Sequence, residues 1–194
     1  MKEHQLVWKA PPEKPVRTHD GKVMVPQSDS RYCSDTFEIW CWDHRIVRVA
    51  FVLDCCDREI ITWSASTAGI NGQMIRDLMA ESLEIRFGKA LKLPHQIEFL
   101  SDIGSIYRSH ATRSFAKLIG FSPCTTPTYS PESNGMAESF VKTFKRDYVR
   151  VSSLESADGV LNNLHDWFAD YNENHPHMGL RMMSPREFRQ RQLI

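Results

Sequence analysis

Residues 31–63 read RYCSDTFEIWCWDHRIVRVAFVLDCCDREIITW, and the periodicity of this stretch decides the fold. Cys33, Phe37 and Ile39 alternate with Ser34, Thr36 and Glu38, the two-residue period of a strand with one apolar face. Ile46 to Leu53 is a nearly continuous apolar run rich in β-branched residues, as in a strand covered on both faces. Asp54 to Arg58 makes a polar turn, and Glu59 to Trp63 reads as a third strand. Three consecutive strands with short connections predict an antiparallel meander. Asp35 falls on the Cys33/Phe37/Ile39 side, where a charge needs either a partner or a function. Asp54 and Asp57 flank Cys55-Cys56 and read as turn formers paired with Arg58.

Beyond the meander the period changes. Asn71 caps a helix running to about Phe87, with Met74, Leu78, Leu83 and Ile85 as an approximate apolar stripe. Ile97 to Leu100 reads as a short buried strand, Ser109 to Ile119 as a helix closed by Gly120, and Phe121 to Cys124 as a fifth strand. Thr125 to Gly135, rich in Thr, Pro, Ser and Asn, is a loop. Met136 to about Arg150 and Ala157 to about Tyr171 are helical, and a last short helix starts at Ser184 and Pro185. This order predicts an α/β fold, one mixed five-stranded sheet with helices on both faces. Four of the ten prolines lie within the first 26 residues, so residues 1–30 read as an extended arm or linker and residues 31–194 as the core with its C-terminal helices.

The chain has 194 residues, enough for one domain plus an appendage. With 41% apolar and 25% charged residues it is neither a disordered chain nor a disulfide miniprotein. No run approaches the roughly 18 apolar residues of a membrane span. Met1 to Pro15 is too charged for a signal peptide, so a cytoplasmic location is the default expectation. Lys plus Arg and Asp plus Glu both number 24, which argues against a small basic DNA-binding module. The charge is uneven, however: Lys142, Lys145, Arg146 and Arg150 face only Asp147 within residues 139–150. The five cysteines form no C-x-x-C pair and are expected to stay reduced.

Three carboxylates stand out. Asp35 lies in the first strand, Asp102 just after the fourth, and Glu138 early in the helix that follows the Thr125–Gly135 loop, with 35 residues between the last two. An acid at the end of a buried strand faces the cleft where open α/β sheets place ligands. The three acids, their last spacing, the loop from Tyr129 through Ser130-Pro131-Glu132-Ser133-Asn134-Gly135, and the tail Tyr171-Asn172-Glu173-Asn174-His175-Pro176-His177 together resemble the DDE transposases and retroviral integrases. The likeness is strongest to insertion-sequence transposases with a retroviral-integrase-like core, and it runs from about Arg31 to Phe188.

That resemblance implies a ribonuclease-H-like fold and a metal-dependent transferase that hydrolyses DNA phosphodiesters and then joins strands in transposition and recombination. A phosphodiester is already negative, and two Mg²⁺ ions about 3.5–4 Å apart relieve that barrier at the attacking and leaving oxygens. Hard cations prefer carboxylate oxygens. By resemblance Asp35 bridges both ions, Asp102 and Glu138 hold one each, and Mn²⁺ is the natural substitute. Lys142 and Lys145, four and seven residues after Glu138, share its helix face and would meet DNA phosphates. Tyr129, Ser133 and Asn134 would contact DNA ends. The implied partners are the element ends and target DNA, further copies of the chain, and a helix-turn-helix protein from an upstream reading frame. Where the family often has Asn after the second Asp, this chain has Ile103, which keeps open a catalytically impaired remnant that binds DNA or an intact transposase subunit.

Overall fold

The computed structural model describes residues 25–102, 104–125 and 135–192. β1 (Arg31–Trp40) pairs antiparallel with β2 (Ile46–Asp54), in register from Tyr32 opposite Asp54 to Trp40 opposite Ile46. β3 (Ile60–Ser66) completes the meander, with a register shift at Val52/Leu53. β4 (Ile97–Ser101) adds parallel to the other edge of β1, and β5 (Phe121–Thr125) parallel to β4. The sheet order is therefore β3-β2-β1-β4-β5, mixed and five-stranded as the periodicity predicts.

The continuous apolar run of β2 has the physical cause inferred from sequence: it is buried on both faces. Val47, Val49, Phe51 and Leu53 join one core layer, while Ala50 and Val52 join the other. The second layer is covered by α1 (Gly72–Phe87), the one-turn α2 (Ser105–Arg108) and α3 (His110–Leu118). α2 is absent from the sequence reading, which starts this helix at Ser109. Asn71 caps α1 as expected, accepting from the Gln73 and Met74 amides. The buried stripe is Ile75, Leu78, Met79, Ser82 and Leu83, whereas Ile85 is exposed. Ile85 lies two residues after Leu83, off the three-and-four spacing of one helix face.

The first layer is covered by α4 (Gly135–Phe144) and α5 (Ala157–Glu173). The helix expected to run unbroken to Arg150 instead widens into a π turn over Lys145–Val149, where the Arg150 amide donates to the Lys145 carbonyl at 3.0 Å. An aromatic ladder fastens both helices to the sheet: Phe51 meets Phe140 at 4.6 Å between centroids, and Phe144 and Trp63 meet Phe168 at 4.6 and 4.8 Å. Buried Asn172 donates to the Ile60 carbonyl and accepts from its amide, both at 2.9 Å, so this residue of the tail motif joins α5 to the edge strand.

Asp54 and Asp57 form the turn as expected, Asp54 Oδ1 accepting from the Cys56 and Asp57 amides at 2.7 and 3.3 Å and Asp57 Oδ1 from the Glu59 amide at 2.9 Å, but their charge partner differs from the expected one. Both are fully buried; the Arg58 amide donates to the Asp54 carbonyl at 2.9 Å, but the Arg58 guanidinium lies against Gly179 instead of pairing with either carboxylate, and its backbone takes a positive φ of 62°. A side chain at Gly179 would occupy the space that this guanidinium fills. Asp57 instead meets buried Arg86 of α1 and Arg189 of α6 (Pro185–Gln192), and Arg86 also faces Asp29 and Glu59. Three acids, Asp29, Asp57 and Glu59, thus share Arg86 and Arg189, with buried Asp54 beside them. Burial pushes Asp54 up to about 6 and Asp57 up to about 8, with the neighbouring Asp54 charge adding to the Asp57 shift. This network fastens the C-terminal helix and residue 29 to the β2–β3 turn.

Candidate active site

Asp35 sits mid-strand in β1, and the parallel register of β1 and β4 ends with Ser34 opposite Ser101. The next residue on each chain is an aspartate. The two aspartates thus lie one residue beyond the last registered pair of β1 and β4, and alternation along β1 turns Asp35 to the face that α4 covers. Cys33 and Leu100, one pleat earlier, both belong to that layer. Asp35 is half-buried, and its Oδ1 accepts from the Thr36 amide at 2.7 Å.

The Asp102 carboxylate is held by a turn. Its Oδ1 accepts from the Gly104 amide at 2.8 Å. A Cβ at Gly104 would lie 2.8 Å from that same oxygen, so the observed position of the Asp102 carboxylate depends on glycine's lack of a side chain and not on its backbone freedom. Gly104 takes φ −56° and ψ 142°, a conformation open to any residue.

Glu138 lies in the first turn of α4, two residues before Phe140. Phe140 packs on Phe37 and Phe51, and these flank Asp35: Phe37 is two residues along β1, and Phe51 is its cross-strand partner. The helix carrying Glu138 therefore rests over the strand carrying Asp35. Glu138 itself is exposed, and among the described residues no three His, Cys, Asp or Glu side chains are gathered closely enough to hold an ion. Asp35 and Asp102 each follow the last registered pair of β1 and β4, and α4, which carries Glu138, packs over β1.

The two lysines behave differently. Lys142 is exposed, while half-buried Lys145 holds its ammonium 5.7 Å from the centre of the Phe37 ring, a cation–π contact. Lys145 stands where the α-helix passes into the π turn, beside the strand residue two positions from Asp35. Arg146 is committed to Asp147. Tyr129, Ser133, Asn134 and Ile103 lie outside the described residues. So do residues 1–24 of the expected arm. His175 and His177 pack against Tyr171, with ring centroids at 5.5 and 5.2 Å, beneath the π turn. Burial holds His177 down at about 4. Among the described residues no helix is long and apolar enough to cross a membrane.

A meander extended by two parallel strands in the order β3-β2-β1-β4-β5, with helices on both faces, is a ribonuclease-H-like fold. Solved structures share this fold. The simian T-cell lymphotropic virus intasome, in complex with PP2A regulatory subunit B56 gamma, superposes with a TM-score of 0.67 at 13% identity, over 86% of this chain and 56% of that one. The Mos1 transposase catalytic domain gives 0.59 at 16% identity, over 73% and 71%. The BIV integrase catalytic core gives 0.55 at 15% identity, over 85% and 96%. Two models described as "Integrase core domain" match residues 25–131 and 120–185. An insertion element IS136 uncharacterized protein of Agrobacterium fabrum is 53% identical over 89% of this chain and 88% of its own length. A putative transposase InsD for insertion element IS2E of Escherichia coli is 44% identical over 97% and 87%. A longer transposase InsD for IS2 elements is also 44% identical, and the chain spans 63% of it. The chain belongs to the integrase-core family of insertion-element transposases.

Proposed function

We propose that this chain cuts and joins DNA phosphodiesters with Asp35, Asp102 and Glu138 as the ligands of two divalent cations, Mg²⁺ or Mn²⁺. The observation that supports the reading is the parallel register of β1 and β4, whose last pair, Ser34–Ser101, immediately precedes an aspartate on each segment, with the helix bearing Glu138 packed over β1. An all-carboxylate donor set suits hard cations, and the Mos1 catalytic domain, a fold relative, has been solved with Mg and with Mn. Bound there, two such ions would activate the attacking oxygen and stabilise the leaving one.

The chain's own residues orient and neutralise. Lys142, exposed on α4, takes a DNA phosphate beside the scissile bond, and Lys145 holds a second while Phe37 fixes its ammonium. Tyr129, Ser133 and Asn134 contact the DNA end from the segment before α4. Hydrolysis at an element end frees a 3′-OH, which then attacks a target phosphodiester and displaces its 3′ oxygen. One phosphodiester forms as another breaks, so no protein nucleophile and no external energy source is needed. Copies of the chain assemble on DNA in the cytoplasm, at the nucleoid, and an upstream helix-turn-helix protein supplies end recognition.

The test is a Mg²⁺ titration of cleavage and joining on a short duplex carrying the element end. Cleavage plus strand joining, lost in Asp35→Asn, supports the reading. Cutting without joining makes the chain a nuclease. Binding without cutting, also in Mn²⁺, makes it the impaired remnant that Ile103 allows.

A further inference from the structure

The face of the sheet opposite the acids carries a second constellation. Ser34 precedes Asp35 in β1, points to the other face, and is fully buried. Its Oγ lies 2.9 Å from the Tyr107 hydroxyl, and Tyr107 is 5% exposed. Tyr107 belongs to α2, and its amide donates to the Gly104 carbonyl at 3.1 Å. The Gly104 amide in turn donates to Asp102 Oδ1 at 2.8 Å. One residue is thus bonded by its side chain to the neighbour of Asp35 and by its backbone to the turn that holds Asp102. Both acids lie close enough for their charges to add to the burial that pushes the Tyr107 hydroxyl well above its ordinary range. A phenol kept neutral in this way remains available as a hydrogen-bond donor or acceptor to Ser34.

The placement is specific. Beyond Ser34–Ser101 the ladder between β1 and β4 ends, so β1–β4 pairing does not extend to the two aspartates, although Asp35 pairs with Phe51 of β2. The Ser34–Tyr107 bond crosses that gap on the back of the sheet. A phenylalanine fills the same volume without the bond, and it leaves a buried serine hydroxyl without this partner.

We propose that Tyr107 is a positioning residue for divalent-cation binding, its hydroxyl bonded to Ser34 so as to fix the separation of the Asp35 and Asp102 carboxylates. The proposal rests on the cation reading given above, and it adds a residue that touches neither cation nor DNA. Groups that orient metal ligands from behind typically alter metal affinity by about 10–100-fold when removed.

The test uses the full chain with Mn²⁺ alone as the probe, free Mn²⁺ being counted by electron paramagnetic resonance, alongside melting with and without Mn²⁺. Tyr107→Phe is expected to weaken Mn²⁺ binding about tenfold or more and to shrink the melting-temperature gain that Mn²⁺ confers. Its affinity for duplex DNA in EDTA is expected to stay unchanged. Ser34→Ala is expected to act in the same direction, and the double variant to lose little more than either single one, because both remove one bond. If one single variant does not fold, the other supplies the reading. Equal melting losses with and without Mn²⁺, at unchanged Mn²⁺ affinity, overturn the proposal and leave Tyr107 a packing residue. Asp35→Asn and Asp102→Asn separate the two levels. If they too leave Mn²⁺ binding intact, the cation reading itself has failed, and if they abolish it while Tyr107→Phe does not change it, only the positioning role has.

Discussion

Replacing Gly104 by alanine should separate stability from catalysis. Backbone strain is not at issue, because φ −56° and ψ 142° suit alanine. Restricting the unfolded chain contributes about 0.4–1 kcal/mol of stability. Against this, the new Cβ would stand 2.8 Å from Asp102 Oδ1, closer than real contacts allow, and the Gly104 amide bond to that oxygen must break or bend. A hydrogen bond to a charged group contributes about 1.5–3 kcal/mol. Asp102 is half-exposed, so its displaced carboxylate recovers most of that in water. The net change in stability should stay within about 1 kcal/mol of zero. Catalysis has no such compensation, because a displacement on the order of 1 Å costs about a hundredfold in rate. The assay is single-turnover cleavage of a short element-end duplex at saturating Mg²⁺, with melting measured on the same samples. A rate within threefold (about 0.7 kcal/mol) of the parent, at unchanged melting temperature, would refute the claim that the observed Asp102 position matters.

Three further outcomes follow from other parts of the molecule. Changing Lys142 and Lys145 together to alanine should weaken duplex binding regardless of sequence and shallow the salt dependence by up to about two units of slope; an unchanged slope in a salt titration would return both lysines to a solvated face. Phe140→Ala should cost about 3–5 kcal/mol in urea unfolding, since its ring touches Phe37, Phe51, Phe144 and Tyr171; a loss under 1 kcal/mol would deny its role in seating α4 (both magnitudes). For Asp54 and Asp57 the native state holds protons that the unfolded chain releases near its ordinary carboxylate range. Their contribution is therefore fully present below about pH 4 and is lost as pH rises through about 6 and 8. Unfolding free energies measured from pH 5 to 8 should fall, and Asp57→Asn should flatten that fall; parallel profiles would contradict the assignment.

The strands were legible because their patterns have single causes. The run Ile46–Leu53 is apolar throughout because β2 is buried on both faces, and Cys33, Phe37 and Ile39 alternate because β1 turns one apolar edge toward α4 and α5. The position of Asp35 on that apolar side is the local feature from which the proposed site is read. What depended on tertiary contact was not legible. Asp54 and Asp57 look like turn formers, and only folding brings in Arg86 and Arg189 from 29 and 132 residues away. The widening of α4 at Lys145 has no signature in helix propensity. Ser34 and Tyr107 are ordinary residues 73 positions apart, and nothing but the crossing from β1 to β4 makes them neighbours. Tyr171 and Asn172 carried the family likeness in the tail, yet in the fold they pack on Phe140 and join α5 to Ile60.

The most direct measurement is a crystal structure of the chain grown with Mn²⁺ and a short DNA end, with anomalous scattering recorded to locate the ions. Two peaks about 3.5–4 Å apart are expected, with Asp35 touching both and Asp102 and Glu138 one each. Peaks that omit Glu138, or that lie away from the end of the β1–β4 ladder where Asp35 and Asp102 follow the last registered pair, would contradict the three-carboxylate site.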